Sequence, residues 1–323
     1  MPVRLNDGAS VRRRPKPTFG RSRRNGFIIV VVLWMLAALA TLAGVASAYV
    51  AQSAVALTVN DDVLQSEAAI IAGLELTALR LSVPAGVPRP TRGGFRFRLA
   101  GGEIVVEFVS EAARIDLNAA PKNLIAGLFT ILGARAEAAD NYAERIVKWR
   151  ARPKTNGPDE EEALYLAAGL GYPPRRAPFH HLDELWLVQG IPPALVEHAL
   201  PFVTIYSGMR QVNVLDAPPE VVAALPDMTP GRLHAFLDQR DRLPADPAFV
   251  AGALGDKQVG ATTRGSDAYR VRLLTMLPRA QHRIAEVVIM VQGPQYNEPY
   301  RILSWIDDID RATGGRRRPA ETR

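Results

Sequence analysis

Three clusters of side chains in this 323-residue chain have types and spacing that bear on chemistry. Asp159, Glu160, Glu161 and Glu162 run together after a Pro/Gly-bearing loop, RPKTNGP. Carboxylates on a flexible loop are the donors calcium takes, six to eight oxygens at a time. The same run at a helix start would complement the helix dipole. His180 and His181 stand beside Asp183 and Glu184. Adjacent residues point apart on a helix, and no second cluster has metal-site spacing. Asp307, Asp308 and Asp310 precede a basic tail, where a solvated terminus accounts for them. The absence of cysteine excludes disulfides, thiolate nucleophiles and Cys-ligated zinc. The sequence carries no G-x-S-x-G, P-loop, G-x-G-x-x-G or H-E-x-x-H pattern. It reads as a protein that does not catalyse and requires no cofactor, with calcium at Asp159, Glu160 and Glu161 left open.

The distribution of charge sets the next constraint. Residues 1–26 hold eight Arg or Lys against the single Asp7, a net +7. With +6 for the whole chain, everything after residue 26 carries −1. The basic character belongs to the leader, which argues against nucleic acid as a partner of the folded body. No charged side chain occurs between Arg24 and Asp61, and residues 27–50 are nearly all apolar. As a helix those positions span about 36 Å, against a hydrocarbon core of about 30 Å. The basic flank predicts a cytoplasmic N-terminus, with the chain beyond about residue 55 on the far side of the membrane. Ala46-Ser47-Ala48 offers a signal-peptidase site, but the run from Phe27 exceeds an h-region of roughly 7–15 residues.

Beyond the span, Leu64, Ala68, Ile71, Leu74 and Ala78 fall on one helix face, which the spacing predicts to pack on a sheet. Pro84 and the turn PAGVPRPTRGG end that helix. FRFRL (95–99) and EIVVEFV (103–109) read as a hairpin, and 268–277, 282–291 and 300–307 as three further antiparallel strands. The fold class is α+β, with a large helical insertion between the two strand groups. Its boundaries are a leader 1–26, a membrane helix 27–50, an amphipathic helix and first strands 51–118, the insertion 119–265, final strands 266–307 and a basic tail 308–323. Within the insertion, ARIDLNAAPKNLIAGL (113–128) and RQVNVLDAPPEVVAAL (210–225) repeat one another. Each is an extended run followed by a helix start, with Asn118 or Asp216 as the expected cap and Pro121, Pro218 and Pro219 where a missing N–H is harmless. Residues 181–200 read as helix, Gly turn, helix. Such hairpins can grip DNA backbone. Here the turn Val188–Pro192 is flanked by Asp183, Glu184 and Glu197, with no Lys or Arg between 182 and 200.

A basic leader ending in Gly26, then Phe27 and an unbroken apolar run, resembles a type IV prepilin-like signal. The resemblance implies cutting by a prepilin peptidase between Gly26 and Phe27, N-methylation of Phe27 and retention of the apolar helix. Most members carry Glu at the fifth mature position, which is Val31 here. The order of Ile115–Pro121, Gly157–Glu162 with Tyr165, Glu184–Gly190 and Val212–Pro219 is similar to that of the pseudopilin K family of type II secretion. That family usually lacks the Glu and resembles a cap at a filament tip. The resemblance implies an inner-membrane, single-pass subunit with a periplasmic domain, whose partners are other minor pseudopilins and the major pseudopilin. Family members can hold calcium and commonly place Asp just after the residue matching Trp149, where this chain has Arg150 and Arg152. A plain anchored periplasmic scaffold and a DNA-uptake receptor are the competing readings. Replacing Gly26 with Val is expected to leave the protein at precursor size on a gel and to abolish its function in secretion. A variant of mature size that supports secretion would refute the processing reading.

Overall fold

The computed structural model describes residues 25–84, 86–152, 160–255, 259–278, 282–293 and 295–307. Residues 1–24 of the leader and the tail 308–323 therefore lie outside the described residues. The chain divides into two units, Met1–Asp61 and Asp62–Arg323. Along it run α1 (Asn25–Leu81), the hairpin β1 (Arg92–Leu99) and β2 (Gly102–Ser110), and the short strand β3 (Ile115–Asp116). Helices α2 (Lys122–Ile131), α3 (Ala136–Arg150), α4 (Glu160–Ala167) and α5 (Pro193–Ala199) follow, then β4 (Val203–Thr204) and β5 (Val212–Asn213). Helices α6 (Pro219–Ala223), α7 (Pro230–Gln239) and α8 (Pro247–Leu254) lead to β6 (Ala261–Thr262), β7 (Ala268–Met276), β8 (Arg283–Val291) and β9 (Tyr300–Asp307).

In the first unit, Phe27–Gln52 is long and apolar enough to cross a membrane, and none of its most apolar window is buried. In the second unit, β1, β2, β7, β8 and β9 form one antiparallel sheet in that order. The period-2 pattern puts Ile104, Val106, Phe108, Val271, Leu273, Ala285, Val287 and Ile289 on one face, packed with Ala69, Ile70, Leu74 and Leu81 of α1. The face of α1 differs from the one its apolar spacing predicts. Ser66, Ala69, Ile70, Gly73, Leu74, Thr77, Ala78 and Leu81 are buried, whereas Leu64, Ala68 and Ile71 are exposed. Close approach is the reason. A Cβ on Gly73 would stand 2.4 Å from Leu273 Cδ2, so the sheet-facing side takes small residues. Thr77 can be buried there because its hydroxyl donates to the Gly73 carbonyl at 2.7 Å.

The insertion buries its own core around Leu124, Leu128, Phe129, Trp149, Tyr165, Val221 and Phe236. Its two sequence repeats are two copies of one local structure. Ile115–Asp116 pairs in parallel with Val203–Thr204, as Val212–Asn213 pairs with Ala261–Thr262. The turn that follows is tied by Asp116 Oδ1, which accepts from the N–H of Asn118 and Ala119, and by Asn213 Oδ1, which accepts from Leu215 N–H. An arginine arriving from further along each repeat closes it. Arg150 donates to the Leu117 and Ala120 carbonyls, and Arg240 to the Ala217 carbonyl.

This corrects the expected caps. Helices α2 and α6 have Pro121 and Pro218 at the cap position and no side-chain cap bond. Asn118 instead pairs with the backbone of Phe179 through both amide groups, at 2.7 and 3.0 Å. Asp216 accepts from Asn213 Nδ2 and lies 3.3 Å from Arg92. The 181–200 hairpin also differs in its first limb, where Leu182–Leu187 is a 3-10 helix. It leads through Val188 to the Gly190 turn, whose φ is +86°.

Equivalent positions of the two repeats meet where α2 crosses α6. A Cβ on Gly127 would stand 2.1 Å from the Ala224 carbonyl oxygen, a backbone atom that cannot rotate away. Gly127→Ala is expected to cost about 1–3 kcal/mol as an overpacked crossing. Thermal melting checks this, and an unchanged midpoint would show that the helices do not approach so closely.

Candidate assembly site

The exposed face of α1 is the first element of the site. Leu64, Ala68, Ile71, Glu75 and Leu79 follow steps of four, three, four and four, which is one helix stripe. Leu64 is 54% exposed, Ile71 48% and Leu79 70%, an apolar row that the fold leaves uncovered on the side away from the sheet. Glu75 is fixed within the row by the Tyr300 hydroxyl, which donates to it at 3.1 Å from β9. The residues that the periodicity selected as core are thus partly a surface. Gly26 and Phe27 lie in the first turn of α1 and Val31 just beyond, with Phe27 and Val31 exposed.

Behind the sheet, a buried ionic junction fixes the insertion. Ser110 at the end of β2 caps a 3-10 turn, accepting from Ala112 N–H, and the turn carries Glu111 inward. The Glu111 side chain is fully buried. Arg270 of β7 donates to both its oxygens, at 2.8 and 3.2 Å, and Arg114 donates at 3.2 Å. Thr204 of β4 supplies a further hydroxyl, and Arg270 also meets Glu286 of β8. Burial pushes the Glu111 carboxyl up, but Arg270, Arg114 and Thr204 together outweigh it and hold the pKa below the ordinary value. The node joins three strands of the sheet to the β3–β4 ladder of the insertion. Arg92 of β1 makes a second tie, to Asp216 and Asp241. Sequence reasoning missed the node because Glu111 and Arg270 are remote in the chain. The only local signal was a Glu directly after an apolar strand.

Of the residues considered for a metal, Asp159 lies outside the described residues, as does the side chain of Glu160, the first residue of α4. Glu161 is buried, with its carboxylate 3.5 Å from Lys148 Nζ. Among the described residues no group of three or more His, Asp or Glu side chains is arranged to hold a metal. Arg150 plays no part in this, because its guanidinium is spent on the Leu117 and Ala120 carbonyls. His180 Nδ1 contacts Arg175 at 2.7 Å, and His181 is exposed. In the hairpin turn, the Gln189 N–H donates to Tyr165 and the Gln189 carbonyl accepts from Arg145. The Gln189 N–H is therefore not left to meet a phosphate.

A long N-terminal helix on an antiparallel sheet, apolar over a membrane's length at its start, with a helical insertion between β2 and β7, is a pilin-like arrangement. Residues 106–208 match the family model of the type II secretion system (T2SS), protein K. Type II secretion system protein K of Klebsiella pneumoniae is 26% identical over 251 residues, covering 70% of this chain and 76% of the relative. The protein of the same name from Pectobacterium carotovorum subsp. carotovorum is 23% identical over 264 residues, covering 69% and 77%. The fold matches a chain in the crystal structure of the GspK–GspI–GspJ complex from enterotoxigenic Escherichia coli. That match has a TM-score of 0.54 at 19% identity, over 77% of this chain and 96% of the other.

Removing the Glu111 charge is expected to unlatch the insertion. Glu111→Gln should cost about 3–5 kcal/mol at neutral pH, because it leaves Arg270 buried with one counter-charge fewer. A depressed carboxylate pKa gives stability that is complete above the ordinary 4.5 and fades as pH falls through the folded value. The gap between wild type and variant should therefore shrink in acid. Urea unfolding of both proteins at neutral and acidic pH checks this, and a gap that stays constant would contradict the assigned charge state.

Proposed function

We propose that this protein is a minor pseudopilin that works by assembly at the tip of a type II secretion pseudopilus. The observation that carries the reading is the uncovered apolar stripe Leu64–Ile71–Leu79 on the helix that also holds the sheet. A helix whose one face packs on its own domain and whose other face stays apolar suits packing against a neighbour's helix. The solved relative was crystallised as a complex with GspI and GspJ. The partners proposed for this chain are accordingly the other minor pseudopilins, together with the major pseudopilin. In this reading a prepilin peptidase cuts between Gly26 and Phe27, Phe27 is N-methylated, and Phe27–Gln52 remains as a single inner-membrane anchor. The N-terminus is cytoplasmic and the C-terminal domain periplasmic. Val31 suits a subunit with no neighbour above it, since it presents no carboxylate to pair with another N-terminal amine. The near-neutral body and the internally satisfied hairpin turn weigh against DNA uptake.

Leu64→Asp with Ile71→Asp is expected to leave membrane insertion and folding intact, because both sites are exposed. It should reduce co-purification with the other minor pseudopilins by tenfold or more, about 1.4 kcal/mol at the least. Undiminished co-purification would rule out this stripe as the contact.

A further inference from the structure

The helical insertion is laced by alternating charges that lead to one buried carboxylate. Lys122 Nζ of α2 lies 2.7 Å from Asp140 and 3.1 Å from Glu144, both on α3. Glu144 is shared with Lys148 Nζ at 3.0 Å, and Lys148 reaches Glu161 of α4 at 3.5 Å. Glu161 is only 2% exposed, so its charge must be neutralised from within the fold. The neighbouring Trp149 sets the same geometry from its other side. Its ring lies 6.1 Å from those of Tyr165 on α4 and Phe179, and its Nε1 donates to Glu184, which Arg175 also contacts at 2.9 Å. Both buried carboxylates of this lobe, Glu161 and Glu184, thus face a cation supplied by the chain.

We propose that Lys148 is the counter-cation that docks α4 on α3, and that the lobe folds on this ammonium in place of a divalent metal. A calcium ion at Glu161 would have to share that carboxylate with Lys148. The repulsion between the two cations would offset the attraction to that carboxylate. The lobe is therefore expected to ignore calcium and to depend on the charge at residue 148. This inference does not rest on the pseudopilin reading.

The test is thermal melting of the full-length protein in detergent, in EDTA and in millimolar calcium. Wild-type curves should superimpose. Lys148→Met should melt about 4 °C or more lower in both conditions, as expected for losing a partly buried pair. Lys148→Arg, which keeps the charge, should restore most of the difference. A wild-type midpoint raised several degrees by calcium would overturn the proposal, as would a Lys148→Met protein that melts with wild type. If Lys148→Met does not fold at all, recovery by Lys148→Arg in EDTA decides the case, and recovery only with calcium overturns it.

Discussion

The contact on which the second unit most depends is the one between Glu111 and Arg270. Placing a carboxylate where water cannot reach is expensive, and this one is sustained by two guanidinium groups and a threonine hydroxyl. The donors come from separate parts of the chain. Arg270 belongs to the sheet, Thr204 to the insertion, and Arg114 spans the gap by also donating to the Pro201 carbonyl. Hydrophobic packing alone would allow the insertion to rock on the sheet, because the two cores are distinct clusters. A buried, directional, charged node admits one orientation. That is a specificity role for an ion pair, and it suits a head that must present a fixed shape to its neighbours.

The second organising constraint is the closeness of α1 to the sheet. Gly73 against Leu273 lets the helix come close, with Ser66, Ala69 and Thr77 beside Ile70, Leu74 and Leu81 on the packed side. Leu64, Ile71 and Leu79 stand on the opposite face, exposed. The insertion repeats a simpler device, a two-residue parallel ladder with an Asx-type turn and an arginine closing the loop, and packs the two copies together at Gly127 and Ala224.

Much of this was legible in the residues, for identifiable reasons. Period-2 alternation in 103–109 and in β7 survives because one sheet face is buried and the other is more exposed. The repeat was visible because Pro and the small residues beside it recur at fixed spacing. The packed face of α1 is right at Leu74 and Ala78 and wrong at Leu64, Ala68 and Ile71, because apolar periodicity marks burial without saying who buries it. The caps were misplaced by two or three residues because Asp116 and Asn118 have similar turn chemistry, and only the fold decides that Asn118 is needed at Phe179. The Glu111 node was invisible, since no sequence spacing links residues that meet only when β7 returns beside β2.

The account rests on the apolar run being cut in front and kept, so that α1 is both anchor and assembly surface. Edman sequencing or intact mass of the protein extracted from membranes tests this most directly. An N-terminus at Phe27 carrying one added methyl group is the predicted result. A chain that still begins at Met1, or one that begins at Tyr49 with the apolar run removed, would contradict it.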